Sequence, residues 1–194
     1  MTDPAALAEH LRALPPSVGA TVLVGVDGFS GAGKTALAQD LGHQDDVAVV
    51  SIEEFYRGWA GLEEGPARAV TGLVEPLRAG CTPRWGAWDW EHDAEGPPRD
   101  RPLAARVVVL EGCGAGASVL RSHEALTVWV DAEPGERERR LRAREDWPLY
   151  APHRATWRAR EQVLAAHEGL PDAADVIVRR HPDGSLDMRT SPRR

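Results

Sequence analysis

The sequence predicts an α/β domain built on a mainly parallel sheet, and three observations predict it. Short Val-rich apolar runs recur along the chain, helix-spaced segments lie between them, and turn residues mark the joins. A strand buried on both faces reads as a continuous apolar run rather than as an alternation. Five segments read this way: 20–26 (ATVLVGV), 47–52 (VAVVSI), 106–110 (RVVVL), 126–130 (LTVWV) and 175–179 (DVIVR).

The helices follow from spacing and punctuation. Residues 5–14 (AALAEHLRAL) form a short amphipathic helix stopped by Pro15-Pro16. Lys34 to Leu41 is helical, with Gly42 as its stop. Residues 66–79 carry Val70, Leu73, Val74 and Leu77 at helical spacing, with Pro76 as a kink point. Residues 134–146 form a strongly charged helix with Pro134 in its first turn, and 155–168 another. The stretch 81–105 is rich in Pro, Trp and charge and reads as an irregular excursion. The expected organisation is an N-terminal helix (1–19), one domain over 20–180 and a tail (181–194), whose Pro-Asp-Gly turn could fold back as a hairpin.

Composition narrows the function classes. At 194 residues and roughly 150 per domain, one domain is expected. Apolar residues make up 42% and charged residues 27%, which is ordinary for a globular protein. The net charge of −7 argues against binding nucleic acid or an anionic membrane by bulk electrostatics. No apolar run reaches the length of a membrane span, and MTDPAALAEHLRALPP lacks the pattern of a signal peptide. Cys81 and Cys113 have neither metal nor redox spacing, so a reducing cytoplasm is expected. The chain has no Asn and a single Lys, Lys34; its other 22 basic residues are Arg. A lysine retained against that bias invites a chemical explanation.

Lys34 falls in a motif. Gly28-Phe29-Ser30-Gly31-Ala32-Gly33-Lys34-Thr35 matches G-x-x-x-x-G-K-[ST], the P-loop or Walker A sequence, between a strand and a helix as the motif requires. The glycines let Gly28, Ser30, Gly31, Ala32 and Gly33 turn backbone N–H groups toward phosphate, helped by the helix N-terminus. Lys34 would reach the β- and γ-phosphates, and the Thr35 hydroxyl would ligate Mg²⁺. The bland alternative is a structural glycine turn. A GTPase is excluded, because its guanine-reading [NT]-K-x-D motif needs a lysine outside the P-loop. An AAA-type motor is disfavoured, because the third strand ends in a single carboxylate, Glu111, and the chain is short. A small-molecule kinase fits the size best.

The chain resembles the uridine kinase branch of P-loop kinases, and more closely the uridine kinase-like proteins of high-GC actinobacteria. The matching segments are VDGFSGAGKT (26–35), SIEEFYRGWAGL (51–62), WDWE (88–91), VVVLEGCGAG (107–116) and RERRLRARE (137–145), covering roughly residues 20–180. The resemblance implies a P-loop NTPase (kinase-like) three-layer αβα sandwich with about five parallel strands in the order 2-3-1-4-5. It implies ATP- and Mg²⁺-dependent phosphoryl transfer to a hydroxyl of a small molecule, a nucleoside first, without nucleic acid or membrane as partner. Relatives are often oligomeric, which implies a homo-oligomer, although no interface signature is visible. Relatives carry Asp as general base after the second strand; here Glu53 or Glu54 stands there. Glu111 would join Thr35 at Mg²⁺. Arg137, Arg140 and Arg144, three and four apart, would form a lid over the triphosphate. In the acceptor region, Asp89 would meet ribose hydroxyls, with Tyr56, Trp88 and Trp90 as walls; Trp59 could join them. Each has a bland counterpart: a solvated acidic pair, a carboxylate bound to P-loop backbone, a helix laced by Glu–Arg pairs, and an aromatic-packed loop. Two functional alternatives stay open. One is a kinase for another acceptor, such as a pantothenate-like metabolite or an antibiotic hydroxyl. The other is a regulatory protein that binds or slowly hydrolyses ATP without an acceptor.

Overall fold

A computed structural model describes residues 3–181 and 185–190. The chain opens with helix α1 (Pro4–Ala13), whose N-cap Asp3 accepts a hydrogen bond from Ala6 N at 2.8 Å and whose N1 residue is Pro4. Strand β1 (Val22–Asp27) leads through the glycine turn into α2 (Lys34–Gly42), and β2 (Val47–Ser51) follows. Helix α3 (Gly65–Ala69) runs through a π turn (Val70–Val74) into α4 (Glu75–Arg78). The π turn lies just before Pro76, whose missing N–H would otherwise break an α ladder.

The excursion 81–105 is less irregular than its composition suggests. It forms two small antiparallel ladders, β3 (Arg84–Trp85) with β6 (Arg99–Asp100), and β4 (Trp88–Asp89) with β5 (Ala94–Glu95). The chain continues through β7 (Val107–Glu111), α5 (Ser118–Arg121), β8 (Leu126–Val130) and α6 (Pro134–Arg142). It then passes through α7 (Trp147–Tyr150), α8 (Arg154–His167), β9 (Val176–Arg180) and β10 (Leu186–Thr190).

The central sheet has six strands in the order β10-β9-β8-β1-β7-β2. Five are parallel, and β10 pairs antiparallel with β9. Counting only the five predicted strands, this is the order 2-3-1-4-5. The tail hairpin is therefore present, while the Pro-Asp-Gly turn itself lies outside the described residues. Side chains of β1 and β7 alternate between two cores. Val22, Val24, Val26, Val107 and Val109 pack with Leu7, Leu11, Leu37 and Leu41 of α1 and α2. Leu23, Val108 and Leu110 pack on the other face with Phe55, Leu73, Leu120 and Trp157. Filling both faces of one sheet with helices gives the three layers.

Two expectations need correction. Residues 47–52 read as a fully buried strand, yet β2 is the sheet edge and Val49 is 39% exposed. A Val-rich run reports β-propensity and does not separate centre from edge. The charged helix ends at Arg142, not at 146. Arg144 and Asp146 close an ion pair across the turn, and Pro148 starts a new, short helix.

Candidate active site

The carboxyl ends of β1, β2, β7 and β8 meet at one edge of the sheet, where ligands of open α/β folds bind. At the end of β1, Gly28 and Gly31 hold φ of 149° and 80°. A Cβ at Gly28 would lie 2.4 Å from the Val130 carbonyl oxygen, and one at Gly31 2.5 Å from that of Arg137. Glycine is needed at both positions for conformation and for space. Gly33 caps α2 with φ of 106°, so the first N–H groups of that helix open onto the turn.

Lys34 is buried inside the turn. Its Nζ donates to the carbonyls of Gly28 at 2.8 Å and Phe29 at 3.3 Å, and lies 3.5 Å from Cys113 Sγ. Burial disfavours its charge, but Cys113 and the carboxylates of Glu111, Asp27 and Glu161 outweigh that and raise its pKa. Thr35 Oγ1 donates to Glu111 Oε2 at 3.2 Å. Burial raises the Glu111 pKa against the pull of Lys34. Asp27, also raised by burial, accepts from Gly28 N at 2.6 Å and Gly116 N at 2.9 Å. It thereby ties the start of the P-loop to the loop after β7. Burial pushes the Cys113 thiol up to about 12, so it stays a neutral packing group and not a nucleophile.

The sequence held no local signal for a second tie. Glu161 on α8 is 3% exposed, and its Oε2 accepts from Ser30 N at 2.9 Å and Ser30 Oγ at 2.7 Å. Trp157 Nε1 donates to the same Ser30 oxygen at 3.1 Å. The remaining oxygen, Glu161 Oε1, lies 3.8 Å from Arg137 Nη1. These contacts span 131 and 127 residues of sequence. The usable clue was periodic: Trp157, Glu161 and Ala165 stand four apart on one buried stripe, where a carboxylate needs a partner.

The two acidic candidates after β2 separate. Glu54 accepts from Trp85 Nε1 at 2.9 Å and pairs with Arg101 at 3.2 Å, so it braces the excursion. Glu53 instead lines a cavity of about 240 Å³ beside Ser30. Trp59, Trp90, Tyr150, Trp157 and Leu149 form the apolar wall of that cavity, with Arg144 and Asp146 at its edge.

The arginine helix divides as well. Arg137 is buried against the Phe29 ring, 4.9 Å from its centroid, and Arg140 Nη1 donates to the Ala32 carbonyl at 3.0 Å. Arg144 lies past the helix end and pairs with Asp146. The lacing of a solvated helix is real too: Arg139 and Arg140 hold Glu136, and Arg142 and Arg154 hold Glu138.

Three of the four expected acceptor residues stand off the cavity wall. Tyr56 is 1% exposed, and its hydroxyl donates to the Cys113 carbonyl, so it is core behind the cavity. Asp89 is exposed and caps its own turn, accepting from the backbone of Glu91 and His92, each at 3.0 Å. Trp88 packs over Gly58. Trp90 is on the wall.

No family model matches the chain, and no curated protein matches it. Its architecture does match solved structures. A possible uridine kinase from Bacillus stearothermophilus superposes with a TM-score of 0.62 at 18% identity, over 90% of this chain and 96% of that one. A candidate fructose transport system kinase from Silicibacter sp. TM1040 superposes with a TM-score of 0.54 at 21% identity, over 88% and 94%. The fold is that of the P-loop kinases. At these identities the likeness speaks for the fold alone. Among the described residues no helix is long and apolar enough to cross a membrane.

Proposed function

We propose that this P-loop kinase fold transfers the terminal phosphoryl group of ATP to a hydroxyl of a small molecule, with Mg²⁺. The observation that carries the reading is a complete phosphate turn, with Lys34 inside it, opening onto a cavity that Glu53 lines. The residues fit both groups. The crowding at Gly28 and Gly31 leaves a backbone cradle, and the paired oxygens of Thr35 and Glu111 suit a hard cation. Among the described residues no cluster of three or more His, Cys, Asp or Glu could hold a metal, and Mg²⁺ held by one or two protein oxygens plus phosphate needs none. Mg²⁺, when bound at Thr35 and Glu111, supplies neutralisation of phosphate charge.

The chain's own groups divide the remaining work. Backbone N–H groups of the turn and Lys34 bind the phosphates. Arg140, already on the Ala32 carbonyl, clamps the turn from above. The nucleoside end of ATP takes the cleft of about 270 Å³ bounded by Gly33, Ala36, Arg140, Arg180 and His181. Glu53 accepts the proton of the acceptor hydroxyl, and Glu54, bound to Trp85 and Arg101, does not. Catalysis is positioning and charge stabilisation.

A nucleoside acceptor draws support from the sequence resemblance, but the residue assigned to ribose, Asp89, is spent on its own turn. The test of the reaction class is ADP release from Mg-ATP across a panel of small hydroxyl compounds, with Lys34→Ala as control. Acceptor-dependent release lost in Lys34→Ala supports the reading. Turnover indifferent to every acceptor would move the chain to the regulatory ATP-binding class.

A further inference from the structure

The cavity beside Ser30 has a composition that selects its occupant. We infer that the acceptor is a compact, ring-bearing and largely apolar alcohol rather than a nucleoside; this rests on the phosphotransfer reading above. Three observations carry it.

The first is the wall. Trp59 is the hub of an aromatic cluster, with ring centroids 4.9 Å from Trp90, 5.8 Å from Tyr150 and 5.8 Å from Trp157. His153 stacks on Trp59 at 4.2 Å with the rings 9° apart, which backs the wall from one side. Interlocked rings of this kind, mostly tilted or edge-on to one another, hold a fixed apolar surface.

The second is the short list of hydrogen-bonding groups the cavity offers. Trp157 Nε1 is given to Ser30. The Arg144 guanidinium closes as a fork on both carboxylate oxygens of Asp146. That leaves the Glu53 carboxylate and the Tyr150 hydroxyl, which is buried without a partner, to face an acceptor. A nucleoside would bring a ribose diol and a polar base edge, more polar groups than these two can pair, and buried polar groups without partners oppose binding. One acceptor oxygen can lie between Glu53 and the Tyr150 hydroxyl, and a largely apolar body then covers the rings without bringing further polar groups.

The third is size. At about 240 Å³ the cavity is below the roughly 300–1,000 Å³ of pockets that take drug-sized ligands, and it must also admit the transferring phosphoryl group at Ser30. A single ring with a short hydroxyl arm suits that space.

In the reaction the acceptor oxygen forms a bond to the γ-phosphorus of ATP as the bond from that phosphorus to the bridging oxygen breaks. The bond pair leaves on ADP, and the acceptor proton passes to the Glu53 carboxylate. The product is a phosphate monoester.

The test has a binding arm and a turnover arm. Saturation-transfer NMR with the full chain follows binding of 2-phenylethanol, cyclohexylmethanol, uridine and cytidine, in wild type and Trp90→Ala. ADP release from Mg-ATP is measured with the same four compounds. Expected are saturable signals from the two ring alcohols that Trp90→Ala weakens, and a kcat/KM for the better alcohol at least about tenfold above the better nucleoside. A higher kcat/KM for a nucleoside overturns the inference and leaves the kinase reading standing. Ring alcohols that bind but release no ADP support the cavity's selectivity and overturn the kinase reading. Ring alcohols that neither bind nor turn over overturn the inference. Circular dichroism of Trp90→Ala checks folding, and Trp90→Phe, which keeps a ring, is expected to restore binding if the variant is unstable.

Discussion

Eight consecutive residues, 28–35, form the turn on the proposed phosphate side of the cleft, whereas the proposed acceptor side draws on residues from 53 to 157. The phosphate side works through backbone geometry: glycines at φ of 149°, 80° and 106°, and a lysine folded onto the carbonyls it follows. The acceptor side works through side-chain packing, with Trp59, Trp90, Tyr150 and Trp157 brought together by tertiary structure. Backbone geometry is written locally in glycine spacing, and packing between distant segments is not. The same difference separates how each side should respond to mutation.

The largest effect is expected on the phosphate side. Lys34→Ala should lower kcat/KM by about 10²–10³, as removal of one preorganised charge-stabilising donor does, with loss of nucleotide binding by equilibrium dialysis. Next is the boundary between the halves. Glu53→Gln should cost about a hundredfold in kcat while Mg-ATP binding is kept. Glu54→Gln should leave kcat within a few fold and instead lower stability by about 1–3 kcal/mol, since Trp85 and Arg101 lose a charged partner. Denaturant melts and steady-state kinetics on the two variants separate base from brace. The reverse pattern would exchange their roles.

Glu161 joins the two regions, because Ser30 belongs to the turn and also lines the acceptor cavity. Glu161→Gln should raise the KM for ATP by about tenfold, through a looser turn, more than it raises the KM for acceptor. Equal changes in both would show a general loss of packing. A smaller effect tests a site outside the cleft. Burial pushes the Glu124 carboxyl up to about 8, against the pull of the Thr127 hydroxyl, which donates to it at 2.6 Å. An unfolded Glu titrates near about 4.3, so between these values the native chain keeps a proton the unfolded chain has lost. Stability therefore falls as pH rises through that window. Glu124→Gln should match wild type near pH 4, below both values, and melt several degrees higher at pH 8.5, with kcat/KM unchanged. Asp89→Ala should change acceptor KM less than about twofold, because Asp89 caps an exposed turn.

Much of the fold was legible from the chain alone. The five parallel strands come from apolar runs, and the P-loop from its spacing. The order 2-3-1-4-5 came from resemblance, since strand patterns do not encode neighbours. Within the candidate site, Lys34 and the Thr35–Glu111 pair lie where the motif and the strand end place them. The acceptor side was not legible in the same way. Tyr56 and Asp89 share a segment with residues that do line the cavity, but one points into the core and the other caps a turn. Neighbours in sequence share a loop, and only packing decides which of them faces inward. Glu161 sits on the helix that the sequence reads over 155–168, with no role attached to it, and Tyr150 lies in a short helix between two predicted ones, where the sequence reads no element. Arg137, expected over phosphate, is instead buried between Phe29 and Glu161.

The proposed function requires the two sides to serve one reaction. It is tested most directly by ³¹P NMR of the full chain with Mg-ATP, with and without the ring alcohols. The prediction is a phosphate monoester resonance growing in step with ADP, dependent on the alcohol and absent with Lys34→Ala. ADP and inorganic phosphate alone, formed at the same rate with and without acceptor, would contradict it.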